Sequence, residues 1–231
     1  MKFRILAVVT IALALASCAK KHPTAPIAAA PAGPAATTPA GAVQRLAWAM
    51  LTRDVAAYTT LLTDDFEFTF AANDSAGNSL PGRCLDRALE GVAMQHLLVG
   101  GGFEPPVSDL RLTISNILVA QPDPRPGMNP RWHRSVRTPM DLLLTFDEGG
   151  SPQVSSVNGY ALFFVVRGDS ASFLPAREAE HDSTRWFISR WEDETADASG
   201  SPGLHANPTR STTLGAVKVR YIAASGGARP R

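Results

Sequence analysis

The apolar residues of this chain change period once, and that change limits the folds open to it. Up to residue 98 they recur at helical spacing, interrupted by a single alternation, Phe66, Phe68 and Phe70. From Leu110 onward they alternate with polar residues, beginning with Leu110, Leu112 and Ile114 against Arg111, Thr113 and Ser115. A period of 3.6 buries one stripe of a helix, and a period of 2 buries one face of a strand. Helices first and hairpin-linked strands afterwards imply an α+β domain with its helices on one side of a curved sheet.

The elements read as follows. "AVQRLAWAMLTR" puts Val43, Leu46, Ala47, Met50 and Leu51 at helical spacing. Asp54 is placed to cap a second short helix, "VAAYTTLLT", which Asp64 and Asp65 end before the phenylalanine strand. "RCLDRALEGVAMQHLLVG" reads as a third helix, stopped by glycines at 100–102. Strands are expected in "SDLRLTISNILVA", "RWHRSVRTPMDLLLTFD", "SSVNGYALFFVVRGD" and "RWFISRWEDE".

Residues outside 43–195 have other tasks. Lys2 and Arg4 precede the apolar run Ile5–Ala16, which is too short to span a bilayer and reads as a secretory signal over 1–17. It ends in Leu15-Ala16-Ser17-Cys18, which resembles a bacterial lipobox. That resemblance implies an acylated Cys18, a lipid membrane as partner and a place in the cell envelope at the outer membrane, since Ala19 stands where an aspartate would signal retention. Residues 18–42, almost wholly Ala, Pro, Thr and Gly, read as a disordered tether. A linker follows the domain from 196, and 211–223 reads either as a helix with Leu214, Val217 and Tyr221 on one face or as a strand; a short docked helix is favoured.

Composition excludes several functions. The chain carries 22 basic and 21 acidic residues, and losing Lys2 and Arg4 with the signal leaves 20 against 21. With no basic stripe, nucleic acid is not an expected partner. Cys84 has no mate once Cys18 is acylated, so no disulfide framework forms, and it reads as a buried thiol. The histidines lack metal-ligand spacing, and no cofactor motif is present.

The opening "LAWAMLTRDVAAYTTLLTDDFEF" and the closing "RWFISRWEDE" resemble the NTF2-like superfamily, also called SnoaL-like or cystatin-like α+β cones. The resemblance implies three N-terminal helices packed on a curved, mostly antiparallel sheet. That superfold hosts enzymes and inert binding modules alike. The preferred reading is a non-catalytic domain that binds a small apolar ligand or an envelope partner, with Trp48, Tyr58, Tyr160 and Trp186 as wall residues. A lyase, isomerase or hydrolase is the alternative, using Asp65, His96 and Arg190. It assumes that Trp186, Ile188, Arg190 and Glu192 share the inner face of the last strand, with Asp65 and His96 as a dyad. A homodimerisation module is the third reading.

Overall fold

Each described α-helix starts where a side chain can satisfy one of its first free N–H groups. The computed structural model describes residues 32–170, 182–196 and 209–222. The expected signal, Cys18 and most of the Ala/Pro-rich segment lie outside them. Helix α1 spans Pro39–Leu51, beginning before the expected Val43. Thr38 accepts a hydrogen bond from Gly41 N at 2.9 Å, and proline in the first turn has no N–H to lose. The segment before it is also attached. The Ala36 carbonyl accepts from Trp186 N at 2.8 Å, and Arg45 donates to the Pro34 carbonyl at 3.1 Å. The tether boundary expected at residue 42 is therefore corrected: cap, proline and the stripe Ala42, Val43, Leu46, Ala49 and Met50 outweigh the composition.

Helix α2 spans Val55–Thr59, and Asp54 caps it by accepting from Ala57 N at 2.8 Å. Strand β1, Leu62–Thr69, starts before the paired aspartates, so Asp64 and Asp65 do not end a helix. They lie in an irregular stretch of β1, between the pairs it makes at Leu62 and at Glu67. Strand β2, Cys84–Asp86, pairs antiparallel with β1 and takes three residues from the expected third helix. Helix α3 is accordingly Arg87–Leu98, with the Asp86 carboxylate accepting from Leu89 N at 2.8 Å.

The remaining strands and α-helix described are β3 Asp109–Ile114, β4 Ala120–Pro122, β5 His133–Glu148, β6 Ser151–Arg167, β7 Trp186–Ala196, β8 Thr209–Ser211 and α4 Leu214–Ile222. The strands form one sheet in the order β2-β1-β7-β6-β5-β3, with β4 also on β5 and β8 also on β6. All described pairings are antiparallel except β1 with β7 and β6 with β8. The long β5–β6 hairpin turns through Gly149 and Gly150, whose φ values of 60° and 84° suit a two-residue turn. Pro139 in β5 falls opposite the gap between β3 and β4, where no ladder donor is needed. Helices pack on one face of the sheet over a core that includes Phe66, Phe68, Leu142, Leu144, Phe163 and Trp191. This is the α+β cone that the resemblance implies.

Strand β7 carries the feature that decides which side chains enter the cone. Val165 pairs with Ile188, but Phe164 pairs with Arg190, so Ser189 is an extra residue and a β-bulge. Every side chain after it changes face. Trp191, Asp193 and Thr195 are buried, whereas Arg190, Glu192 and Glu194 are only half-buried. The strict alternation that put Arg190 and Glu192 on the inner face is thereby corrected.

Helix α4 belongs to this core. Leu214 and Tyr221 are fully buried and Val217 nearly so. Its close approach requires glycine at 215, where a Cβ would lie 2.3 Å from Asp74 Oδ2 and from the Phe70 ring. Gly215→Ala should cost about 1–3 kcal/mol through overpacking, read by chemical denaturation, and should speed proteolysis within 209–222. Unchanged stability would show that α4 does not approach this closely.

Candidate functional site

Four elements of the cone converge on one ammonium group. Lys218 of α4 is fully buried, and its Nζ donates to Glu90 Oε1 of α3 at 2.7 Å. Tyr58 of α2 donates its hydroxyl hydrogen to the same oxygen. Aromatic faces complete the enclosure: Nζ lies 3.5 Å from the Phe68 ring centroid on β1 and 4.1 Å from that of Trp191 on β7. Both distances are within cation–π range. The two rings meet edge-on at 5.6 Å, and Phe163 backs Trp191 at 4.8 Å. Glu90 and Lys218 each show 0% exposure, so the pair is a desolvated one.

A second carboxylate anchors the start of α4. Asp193 Oδ2 accepts from Gly215 N at 3.0 Å, and Thr195 Oγ1 accepts from Leu214 N at 3.2 Å. Thr213 Oγ1 caps the helix by accepting from Ala216 N and donates to Asp74 Oδ2 at 2.6 Å. Acidic groups are favourable at this end of a helix. At the far end His96 Nδ1 meets the Tyr221 carbonyl at 3.0 Å, and the Tyr221 hydroxyl donates to the Pro105 carbonyl at 2.7 Å.

Burial governs the titration of these groups. It pulls the Lys218 ammonium pKa down, against the opposing pull of Glu90 and Asp193. It pushes the Asp193 carboxyl up, against its hydrogen bonds and Lys218. The Tyr58 phenol is raised well above its ordinary value, first by burial and then by Glu90. Among the buried side-chain atoms that lack a hydrogen-bond partner among the described residues, two belong to this enclosure, Glu90 Oε2 and Trp191 Nε1.

The residues singled out from the sequence are dispersed. Asp65 is exposed on the face of β1 opposite Phe66 and Phe68. It lines an open cleft of about 300 Å³ with Thr63, Glu67, Arg125, His133 and Arg190. Arg190 there pairs with Glu67 at 3.3 Å and Glu192 at 3.1 Å and donates to Thr69 Oγ1 at 3.1 Å. His96 sits on α3 and caps α4, so Asp65 and His96 form no dyad. Among the aromatics only Tyr58 reaches the enclosure. Trp48 is half-buried under Arg45 and against Gly33, where a Cβ would come within 2.5 Å of the indole. Trp186 is buried at the start of β7, and Tyr160 is 42% exposed on the outer face beneath Arg137. The four expected wall residues do not share one enclosure. Cys84 is half-buried, its thiol pushed up mainly by burial.

The cleft holds one further contact of chemical interest. Ser170 Oγ and His133 Nε2 are 3.3 Å apart, and burial lowers the His133 pKa against the pull of Asp123. Both Asp123 oxygens, however, accept from Arg125, and Ser170 is 2% exposed. Among the described residues no three His, Cys, Asp or Glu side chains assemble as a metal site would.

The sequence reading missed Glu90, Lys218, Phe68, Trp191 and Asp193. A signal for the first two was present. Glu90, Ala93, Met94 and Leu97 are one helical stripe, as are Leu214, Val217, Lys218 and Tyr221, so each stripe carries one charge.

No family description matches the chain, and no curated protein matches it in sequence. Solved structures do resemble it. A protein from Kribbella flavida superposes with a TM-score of 0.45 at 14% identity, covering 78% of this chain and 92% of its own. An NTF2-like superfamily protein from Salmonella enterica gives 0.43 at 9%, covering 71% and 92%. An NTF2-like protein from Rhodospirillum rubrum gives 0.41 at 17%, covering 68% and 97%. The fold assignment itself rests on strand order and helix placement.

Tyr221 makes the burial of α4 testable through pH. Burial raises its pKa from 10.0 to about 12. The native phenol keeps its proton where the unfolded one loses it, so this contribution is whole below pH 10 and is lost as pH rises towards 12. Tyr221→Phe should therefore flatten the alkaline fall in stability over that window, measured by denaturation at stepped pH. A variant with the wild-type slope would place the Tyr221 hydroxyl in water.

Proposed function

We propose that this chain is a lipid-anchored protein of the bacterial envelope, held at the outer membrane by acylated Cys18, whose NTF2-like domain is a non-catalytic binding module. The observation that carries the non-catalytic reading is the filled cone. Its interior holds a hydrogen-bonded ammonium–carboxylate pair between aromatic faces. A catalytic cone instead presents an acid or base to an open, dry cavity. Asp65 and Arg190 face the outer cleft and His96 serves α4, so no acid/base set named from the sequence stands inside.

The anchor reading rests on the basic start, the short apolar run and the "LASC" ending. Two or more acyl chains anchor stably where one does not. Cys18→Ser should move the protein out of the membrane fraction or leave the signal attached, read by fractionation and intact mass. A variant processed and fractionated like the wild type would end the lipoprotein reading. Native mass spectrometry of the detergent-extracted protein tests the binding half through what copurifies.

A further inference from the structure

We infer that the cone interior is a binding site for a small organic cation, an alkyl- or methylated ammonium, occupied in this structure by the chain's own Lys218. The inference rests on the binding-module reading and names the ligand class for that module. The receiving groups and the cation come from different parts of the chain. Glu90, Tyr58, Phe68, Trp191 and Asp193 belong to α2, α3, β1 and β7, the body of the cone. The ammonium arrives on α4, a helix of nine residues beyond the last long strand.

Chemistry favours this assignment over a purely structural pair. Replacing a buried ion pair by apolar side chains of similar volume is often neutral or stabilising, so an ion pair is not what helix docking alone requires. Two faces of aromatic quadrupole and one carboxylate are the recognition set for an ammonium. Lys218 leaves that set incompletely used, because Glu90 Oε2 is buried and unpartnered among the described residues. Lysine is also singular here: Lys218 is the only lysine after Lys21, the basic groups between being arginine or histidine. A compact point charge suits two ring faces and one carboxylate oxygen, whereas a guanidinium is a planar fork suited to bidentate partners.

An external cation reaches the site when α4 opens locally, and such openings are ordinary in native proteins. The Lys218 amine is exposed only in that open state, so its acylation rate reports the open population. A cation that occupies the vacated enclosure raises this rate by the factor 1 + [L]/Kd, however rare the opening. The experiment acylates the full mature chain with an amine-reactive ester and follows the Lys218 peptide by mass spectrometry. Tetramethylammonium is the probe, with sodium chloride and tert-butanol as ionic and neutral comparisons. The expected result is acceleration that grows linearly with tetramethylammonium, elevenfold at ten times Kd, with neither comparison matching it. Glu90→Gln should abolish the acceleration. Should that variant not fold, the wild-type titrations decide alone.

Equal acceleration by tert-butanol overturns the cation assignment in favour of an apolar site, and no acceleration beyond that of sodium chloride overturns it outright. A ligand that copurifies yet leaves Lys218 labelling unchanged also overturns it, while the binding-module reading stands. Turnover of a substrate at the outer cleft would remove that reading without altering the titration.

Discussion

The ion pair between Lys218 and Glu90 is the constraint around which the rest of this domain is arranged. Two charges removed entirely from water carry a desolvation penalty of several kcal/mol each. They persist only with close geometry and further partners. The fold provides both: a 2.7 Å hydrogen bond, the Tyr58 hydroxyl on the same oxygen, and the Phe68 and Trp191 faces against the ammonium. Each partner depends on a different local event. Tyr58 is placed by the Asp54-capped turn of α2, Glu90 by the Asp86-capped start of α3, and Trp191 by the bulge at Ser189.

That dependence explains why α4 is part of the core. Leu214 and Tyr221 supply apolar burial, each about 1.5–3 kcal/mol if fully removed from water. Asp193, Thr195, Thr213 and His96 satisfy the backbone at the two ends, and Asp74 accepts from the Thr213 hydroxyl. The helix thus closes the cone with groups that only the folded cone can pair. The outer cleft is a different environment. Its Arg190 is shared among Glu67, Glu192 and Thr69 at a half-exposed sheet surface, where ion pairs contribute little.

Much of the architecture was legible because it follows from period and caps. The Val43, Leu46 and Met50 spacing, the Asp54 cap and the Phe66, Phe68 and Phe70 alternation all appear in the structure as read. What failed to show were events that break a period. Ser189 adds one residue to β7 and reverses the faces of Arg190 and Trp191, which no alternation rule detects. Cys84–Asp86 became a strand because β1 offered an edge, a tertiary cause. The candidate site was read less well, because polar residues were sought in loops and strand ends. Its two charges instead sit on the apolar stripes of α3 and α4, and a lone lysine on such a stripe was the available clue.

The most direct test of the buried pair is a double-mutant cycle between Glu90 and Lys218, with Glu90→Gln, Lys218→Met and both together measured by chemical denaturation. On this account each single change leaves a buried partner unpaired and costs about 3–5 kcal/mol. The double variant should be more stable than the sum of the two losses allows, by more than about 1 kcal/mol. Small, additive losses would contradict the account, placing the two charges in water and leaving the cone without the interaction on which its closure depends.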